Sequence, residues 1–141
     1  MFSPVYFSES LPVYGKEEAM MSWYNVLLDS TISTTRYLTD KYAGVKFRVI
    51  GQEEKDGKIF RASEFVLSDR VIVHSIVEID VSENPARFIE LMRGRVVPIG
   101  DVLRDEGYRV ERKILSHDAC SKVYVMVGDV NLKITEKYYD M

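Results

Sequence analysis

The last stretch of the chain, Val130-Asn131-Leu132-Lys133-Ile134-Thr135-Glu136-Lys137-Tyr138, alternates with the period of a strand. Leu132, Ile134, Glu136 and Tyr138 fall on one face, and Asn131, Lys133, Thr135 and Lys137 on the other. Glu136 thus stands among apolar neighbours, where a carboxylate is costly unless something satisfies it, or else the register is shifted or the residue lies at the sheet edge and reaches water. A second charged residue of this kind is Arg61. A two-residue turn at Ser68-Asp69 pairs Leu67 with Arg70, Phe65 with Ile72, Ser63 with His74 and Arg61 with Ile76. Arg61, Ser63, Phe65, Ile72, His74 and Ile76 then share a face with apolar ends and a polar middle. An inward arginine needs an acceptor, and its planar fork suits a carboxylate. Two readings follow. Arg61 and Glu136 neutralise each other in a salt bridge, or they form a dipolar pocket for a ring with a carboxylate at one end and a hydroxyl at the other.

The remaining reactive residues point elsewhere. His74 and His117 are the only histidines, and neither has a Cys or His partner at metal-ligand spacing. His74 reads as a strand histidine held by a backbone or hydroxyl group, and His117-Asp118 as a solvated turn. Cys120, the single cysteine, has no base beside it and reads as a small buried or half-buried thiol. No GxxxxGK or GxGxxG phosphate loop occurs. No metal or organic cofactor is expected.

The elements that must position Arg61 and Glu136 are legible from periodicity. Residues 1–15, with Pro4, Pro12 and Gly15 among aromatics, read as an irregular arm. Met20, Trp23, Tyr24 and Leu27 recur at helical spacing from Lys16 to Leu28, and a second helix runs from the Asp29-Ser30-Thr31 break to about Tyr42. Three strands follow, beginning at Val45, Lys58 and Arg70. Asn84-Pro85 opens a helix, with Asn84 as cap and Pro85 in the first turn, and Ile99 to Asp105 forms a short one. Three more strands occupy Tyr108–Leu115, Lys122–Val127 and Val130–Tyr139. Six strands grouped apart from four helices predict an α+β fold: a mainly antiparallel sheet with helices packed on one side.

The whole chain bounds these readings. Its 141 residues suit one domain spanning 1–141, and 46% hydrophobic with 29% charged residues is an ordinary globular balance. With 19 basic residues scattered among 22 acidic ones, there is no basic stripe for phosphates, so nucleic acid is not an expected partner. The first residues lack a basic, then apolar, leader, and no apolar run approaches a membrane span. The expected setting is the cytoplasm, with a small anionic ligand as partner.

Four ordered segments resemble the chorismate pyruvate-lyases (4-hydroxybenzoate synthases) and their small archaeal and bacterial relatives, over about Trp23 to Tyr139. Trp23 to Ser33 resembles that family's Leu-rich helix and following loop. Phe60-Arg61 resembles the start of the strand whose arginine binds the ring carboxylate. Val97-Pro98-Ile99-Gly100 resembles its Thr-Pro-Leu-Gly segment, and Ile134-Thr135-Glu136-Lys137-Tyr138 its final Leu-Thr-Glu-x-Phe strand. Here Ala62 follows the arginine where the family usually has Glu, and Ser30 stands where many relatives have Gly. The resemblance implies that Arg61 grips a carboxylate, Glu136 faces the 4-hydroxyl end, and backbone N–H groups near Ile32 and Ile99 add contacts. It implies cofactor-free elimination of pyruvate from chorismate, a small cyclohexadiene carboxylate, to give 4-hydroxybenzoate. The alternative is a non-catalytic binding module for aromatic carboxylates.

Overall fold

A computed structural model of the chain describes residues 22–94 and 97–141. The arm expected over 1–15 and the start of the first expected helix lie outside them. Within them the order is α1 (Asn25–Leu28), α2 (Thr34–Lys41), β1 (Lys46–Lys55), β2 (Lys58–Leu67) and β3 (Arg70–Asp80). Next come a 3₁₀ turn (Val81–Glu83), α3 (Ala86–Arg93), α4 (Ile99–Glu106), β4 (Val110–His117), β5 (Ser121–Gly128) and β6 (Leu132–Tyr138). The strands form one sheet in the order β1-β2-β3-β6-β5-β4, every neighbour antiparallel. Two three-stranded meanders thus join through β3 and β6, and α3 and α4 lie on the connection between them.

Most helix ends follow local chemistry. Ser33 caps α2, its Oγ accepting from the Arg36 N–H, and Gly107 ends α4 in the left-handed conformation at φ 71°. At α3 the expectation fails: Pro85, not Asn84, occupies the cap position. Asn84 instead donates to the carbonyls of Asp80 and Asn131 and accepts from the Asn131 N–H. A side chain that reaches three backbone groups on β3 and the β5–β6 turn does more here than capping one N–H.

Each inner meander strand buries alternate residues on a single face. On that face two apolar clusters form. One joins Ile59, Val77, Ile79, Tyr124, Met126, Leu132 and Ile134 to Phe88, Ile89 and Met92 of α3 and to Ile99, Val102 and Leu103 of α4. The other joins Phe65, Ile72, Val73 and Tyr138 to Tyr24, Leu27 and Leu38 of α1 and α2. Trp23 fastens the second cluster, donating its indole N–H to the Tyr139 carbonyl at 2.6 Å and meeting the Tyr24, Tyr42 and Tyr138 rings edge-on.

The simple hairpin about Ser68-Asp69 is corrected by a bulge. Leu67 pairs with Arg70 and Val66 with Val71, but Phe65 then pairs with Val73, Ser63 with Ser75 and Arg61 with Val77. Ile72 is the extra residue on β3, and a one-residue shift exchanges the faces of everything beyond it. Ser75 and Val77 therefore face inward beside Arg61, while His74 and Ile76 turn outward, Ile76 being 41% exposed. β2 carries no extra residue in this pairing, so Arg61 keeps its inward place.

Candidate functional site

Between the two apolar clusters runs a buried polar band. On β2 it comprises Arg61 and Ser63, on β3 Ser75, on β6 Glu136 and on β5 Lys122. Ser63, Ser75 and Glu136 stand in one row across three neighbouring strands. Arg61 is 1% exposed and Glu136 4%, so both charges have left water. Leaving charged groups in a protein interior costs several kcal/mol each unless partners compensate, roughly.

The salt-bridge reading does not hold: among the described residues neither Arg61 nor Glu136 takes part in an ion pair. Arg61 donates from Nε to Gln52 Oε1 at 3.1 Å, from Nη1 to the Val97 carbonyl at 2.8 Å and from Nη2 to the Met92 carbonyl at 3.3 Å. The Met92 carbonyl lies in the last turn of α3, where a cation is favoured. A guanidinium has five N–H donors, so two remain free of partners among the described residues. Burial without a carboxylate lowers its pKa to about 10, which leaves it charged at neutral pH.

Glu136 is held by hydroxyls. Thr34 Oγ1 and the Tyr138 phenol donate to Oε1, both at 2.7 Å, and the Tyr124 phenol donates to Oε2 at 3.1 Å. Burial and the adjacent carboxylate push both phenols well above their usual range, so they keep their protons and act as donors. Lys122, the cross-strand partner of Glu136, donates to the carbonyls of Leu27 at 2.6 Å and Ser30 at 3.0 Å. Burial lowers its pKa. Lys122 thereby ties the segment before α2 to the sheet.

Arg61 and Glu136 line one cavity with Ser63, Ser75, Tyr124 and Arg112. Its roof is the meeting of two helix starts, Ser33–Thr35 and Pro98–Gly100. A methyl placed on Gly100 would stand 3.4 Å from Ser33 Oγ and 3.5 Å from Thr35 Cβ, so the gap between the two helix starts there is about one methyl wide. The cavity's free space is about 40 Å³, room for roughly three waters. Beside it, sharing Ser33, Thr35, Gly100 and Arg112, opens a cleft of about 770 Å³ lined also by Arg36, Arg104 and Arg109.

Ile99 lines the cavity and Ile32 does not. Its side chain is 43% exposed and its N–H donates to Ser30 Oγ at 3.1 Å, because the Ser30 side chain closes a local turn before α2. His117 is exposed and Cys120 is half-buried. Asp118 accepts from the Cys120 and Ser121 N–H groups. No cluster of metal-binding side chains occurs among the described residues. None of their helices is long and apolar enough to cross a membrane.

Thr34, Tyr124, Lys122 and Arg112 were not singled out by the sequence reading. The alternation that turned Glu136 inward also places Lys122 with Tyr124 and Met126, and Arg112 with Val110 and Ile114. Thr34 carried no such signal, since only the packing of α2 on the sheet brings it to Glu136. The fold and site together define an open antiparallel α+β sheet whose buried face holds a polar, cation-bearing cavity. Compared with known proteins, the chain matches no family model and no curated sequence.

Proposed function

We propose that the cavity and its adjoining cleft bind a small ring carboxylate, and that the protein performs chorismate pyruvate-lyase chemistry or closely related aromatic-acid chemistry. The observation that carries this reading is a buried guanidinium and a buried carboxylate around one cavity, neither in an ion pair among the described residues. β3 alone separates their strands, so their backbones stand two inter-strand steps apart, about 10 Å.

In this reading Arg61 offers its two remaining donors to the ring carboxylate, and Glu136 faces the hydroxyl-bearing carbon. The ring C3–ether oxygen bond breaks, the proton on C4 is lost, and the new C3–C4 double bond completes the aromatic ring. The departing enolate of pyruvate takes up a proton. Aromatisation drives the step, so it requires neither a redox group nor a metal. A carboxylate has about four acceptor sites and three are occupied here, leaving one to receive the proton.

One observation favours a binding module instead. Both Glu136 oxygens are already engaged, and the cavity's free space of about 40 Å³ is far smaller than the roughly 300 Å³ at which small-molecule pockets begin.

Incubation with chorismate separates the two. Lyase chemistry releases pyruvate and 4-hydroxybenzoate in equal amounts, and Glu136→Gln lowers the rate by about 10²–10⁴-fold with the circular dichroism unchanged. Wild-type protein that binds 4-hydroxybenzoate but yields no pyruvate above spontaneous breakdown defeats the lyase reading.

A further inference from the structure

The two faces of the sheet are not alike. The described helices pack on the inner face, through the two apolar clusters. The outer face carries none of them, yet a solvated sheet face is ordinarily polar. One row of outward residues, Gly51-Ala62-Ile76-Thr135-Val123-Ser116, crosses all six strands without a charge. Ile76 in that row is 41% exposed, and Val127 on the same face 44%.

The next row is Glu53-Phe60-Glu78-Lys133-Val125-Lys113. It runs acid, apolar, acid over β1-β2-β3, then base, apolar, base over β6-β5-β4. Of its four charges only Glu78 forms an ion pair among the described residues, with Lys58 at 2.9 Å. A twofold axis along the strands, between β3 and β6, carries β1 onto β4, β2 onto β5 and β3 onto β6. Two copies laid face to face on that axis set Glu53 over Lys113, Phe60 over Val125 and Glu78 over Lys133, each pair twice. One row further on, Lys55 comes over Glu111. Ile76, half a strand spacing from the axis, meets its own copy. A twofold axis across the strands in that row would instead set each charge on its like, which is costly.

We infer that the open face of the sheet is the contact of a homodimer, two copies packed back to back on the axis between β3 and β6. Five inter-strand steps by four outward rows cover roughly 24 by 20 Å. Each copy thus brings roughly 500 Å², which reaches the roughly 1,000 Å² in total expected of a specific interface. Packed sheets cross at about 30°, and the long side chains of the edge strands span the offset this creates. Arg61 and Glu136, on the inner face, stay clear of the contact.

Sedimentation equilibrium of the full chain, 16.3 kDa, tests the dimer. Wild-type protein is expected at twice that mass at micromolar concentration. Glu53→Lys with Glu78→Lys, and separately Lys113→Glu with Lys133→Glu, should each raise the dimer dissociation constant at least about tenfold. An equimolar mixture of the two variants should recover a mixed dimer, since acid again faces base at every contact. Ile76→Asp should be monomeric, with circular dichroism matching wild type. A monomeric wild type, its outer face covered by another segment, another partner or water alone, overturns the dimer. Dimers that persist in the charge variants and in Ile76→Asp overturn this face as the contact. Charge variants that dissociate but do not recover on mixing overturn the axis. If a charge-reversed chain fails to fold, Ile76→Asp decides alone, and its remaining a folded dimer overturns the inference.

Discussion

Arg61 has two duties that one substitution can separate. Its three donated hydrogen bonds tie β1, the end of α3 and the start of the roof at Val97 together, and the residue lines the cavity with two donors free of partners among the described residues. Lysine keeps the charge but replaces a planar fork by a compact ammonium on a flexible stem. Arg61→Lys should therefore weaken 4-hydroxybenzoate binding by about tenfold or more, as expected from the 1.5–3 kcal/mol of a charged hydrogen bond, roughly. Titration beside a thermal melt checks this: affinity unchanged within about twofold in a folded variant would show that Arg61 is scaffold only. Glu136 was legible as an inward carboxylate from alternation alone. Its donor Thr34 was not, because it lies 102 residues away in the chain.

At the scale of elements, bulges decide which side chains share the site. Extra residues occur on β1 at Ile50, on β3 at Ile72 and on β4 at Leu115. Ile50 and Leu115 are consequently half or more exposed, although the strands around them read as apolar. The start of β4, which carries Arg112, is pinned at Gly128. That residue has φ 151°, and a Cβ there would lie 2.5 Å from the Arg109 carbonyl oxygen. Backbone cannot yield as a flexible side chain does, so Gly128→Ala should cost about 1–3 kcal/mol in urea unfolding. A neutral stability change would mean that the β4–β5 junction is free to shift.

The whole molecule should register its buried charges in alkaline solution. An unfolded tyrosine loses its proton near pH 10, but Tyr124 and Tyr138 are held well above that in the fold. Their stabilisation is thus full below about pH 10 and is lost as the pH rises past it, because the unfolded chain then binds fewer protons. Lys122 and Arg61, both lowered by burial, act in the opposite direction. The lysine contribution ends near its ordinary value of 10.5, leaving two phenols against one guanidinium above it. The urea midpoint should consequently fall between about pH 10.5 and 12, and Tyr124→Phe or Tyr138→Phe should flatten the fall. A midpoint that rises across that interval would contradict the arrangement of protons at Glu136.

Periodicity by itself determined the six strands, the antiparallel α+β class and the inward placing of Arg61 and Glu136. It could do so because a period of two is a local property, set by how successive side chains leave a pleated backbone. The bulge at Ile72 defeated the same logic on the partner strand, and with it the expected places of His74 and Ile76. A single inserted residue leaves no mark in alternation when both Ile72 and Val73 are apolar. Tertiary structure alone decided that Arg61 and Glu136 stay apart, that Thr34, Tyr124 and Tyr138 satisfy the carboxylate, and that two helix starts close the roof. Those outcomes depend on distances between segments distant in the chain, which packing of the two apolar clusters sets and no local spacing encodes.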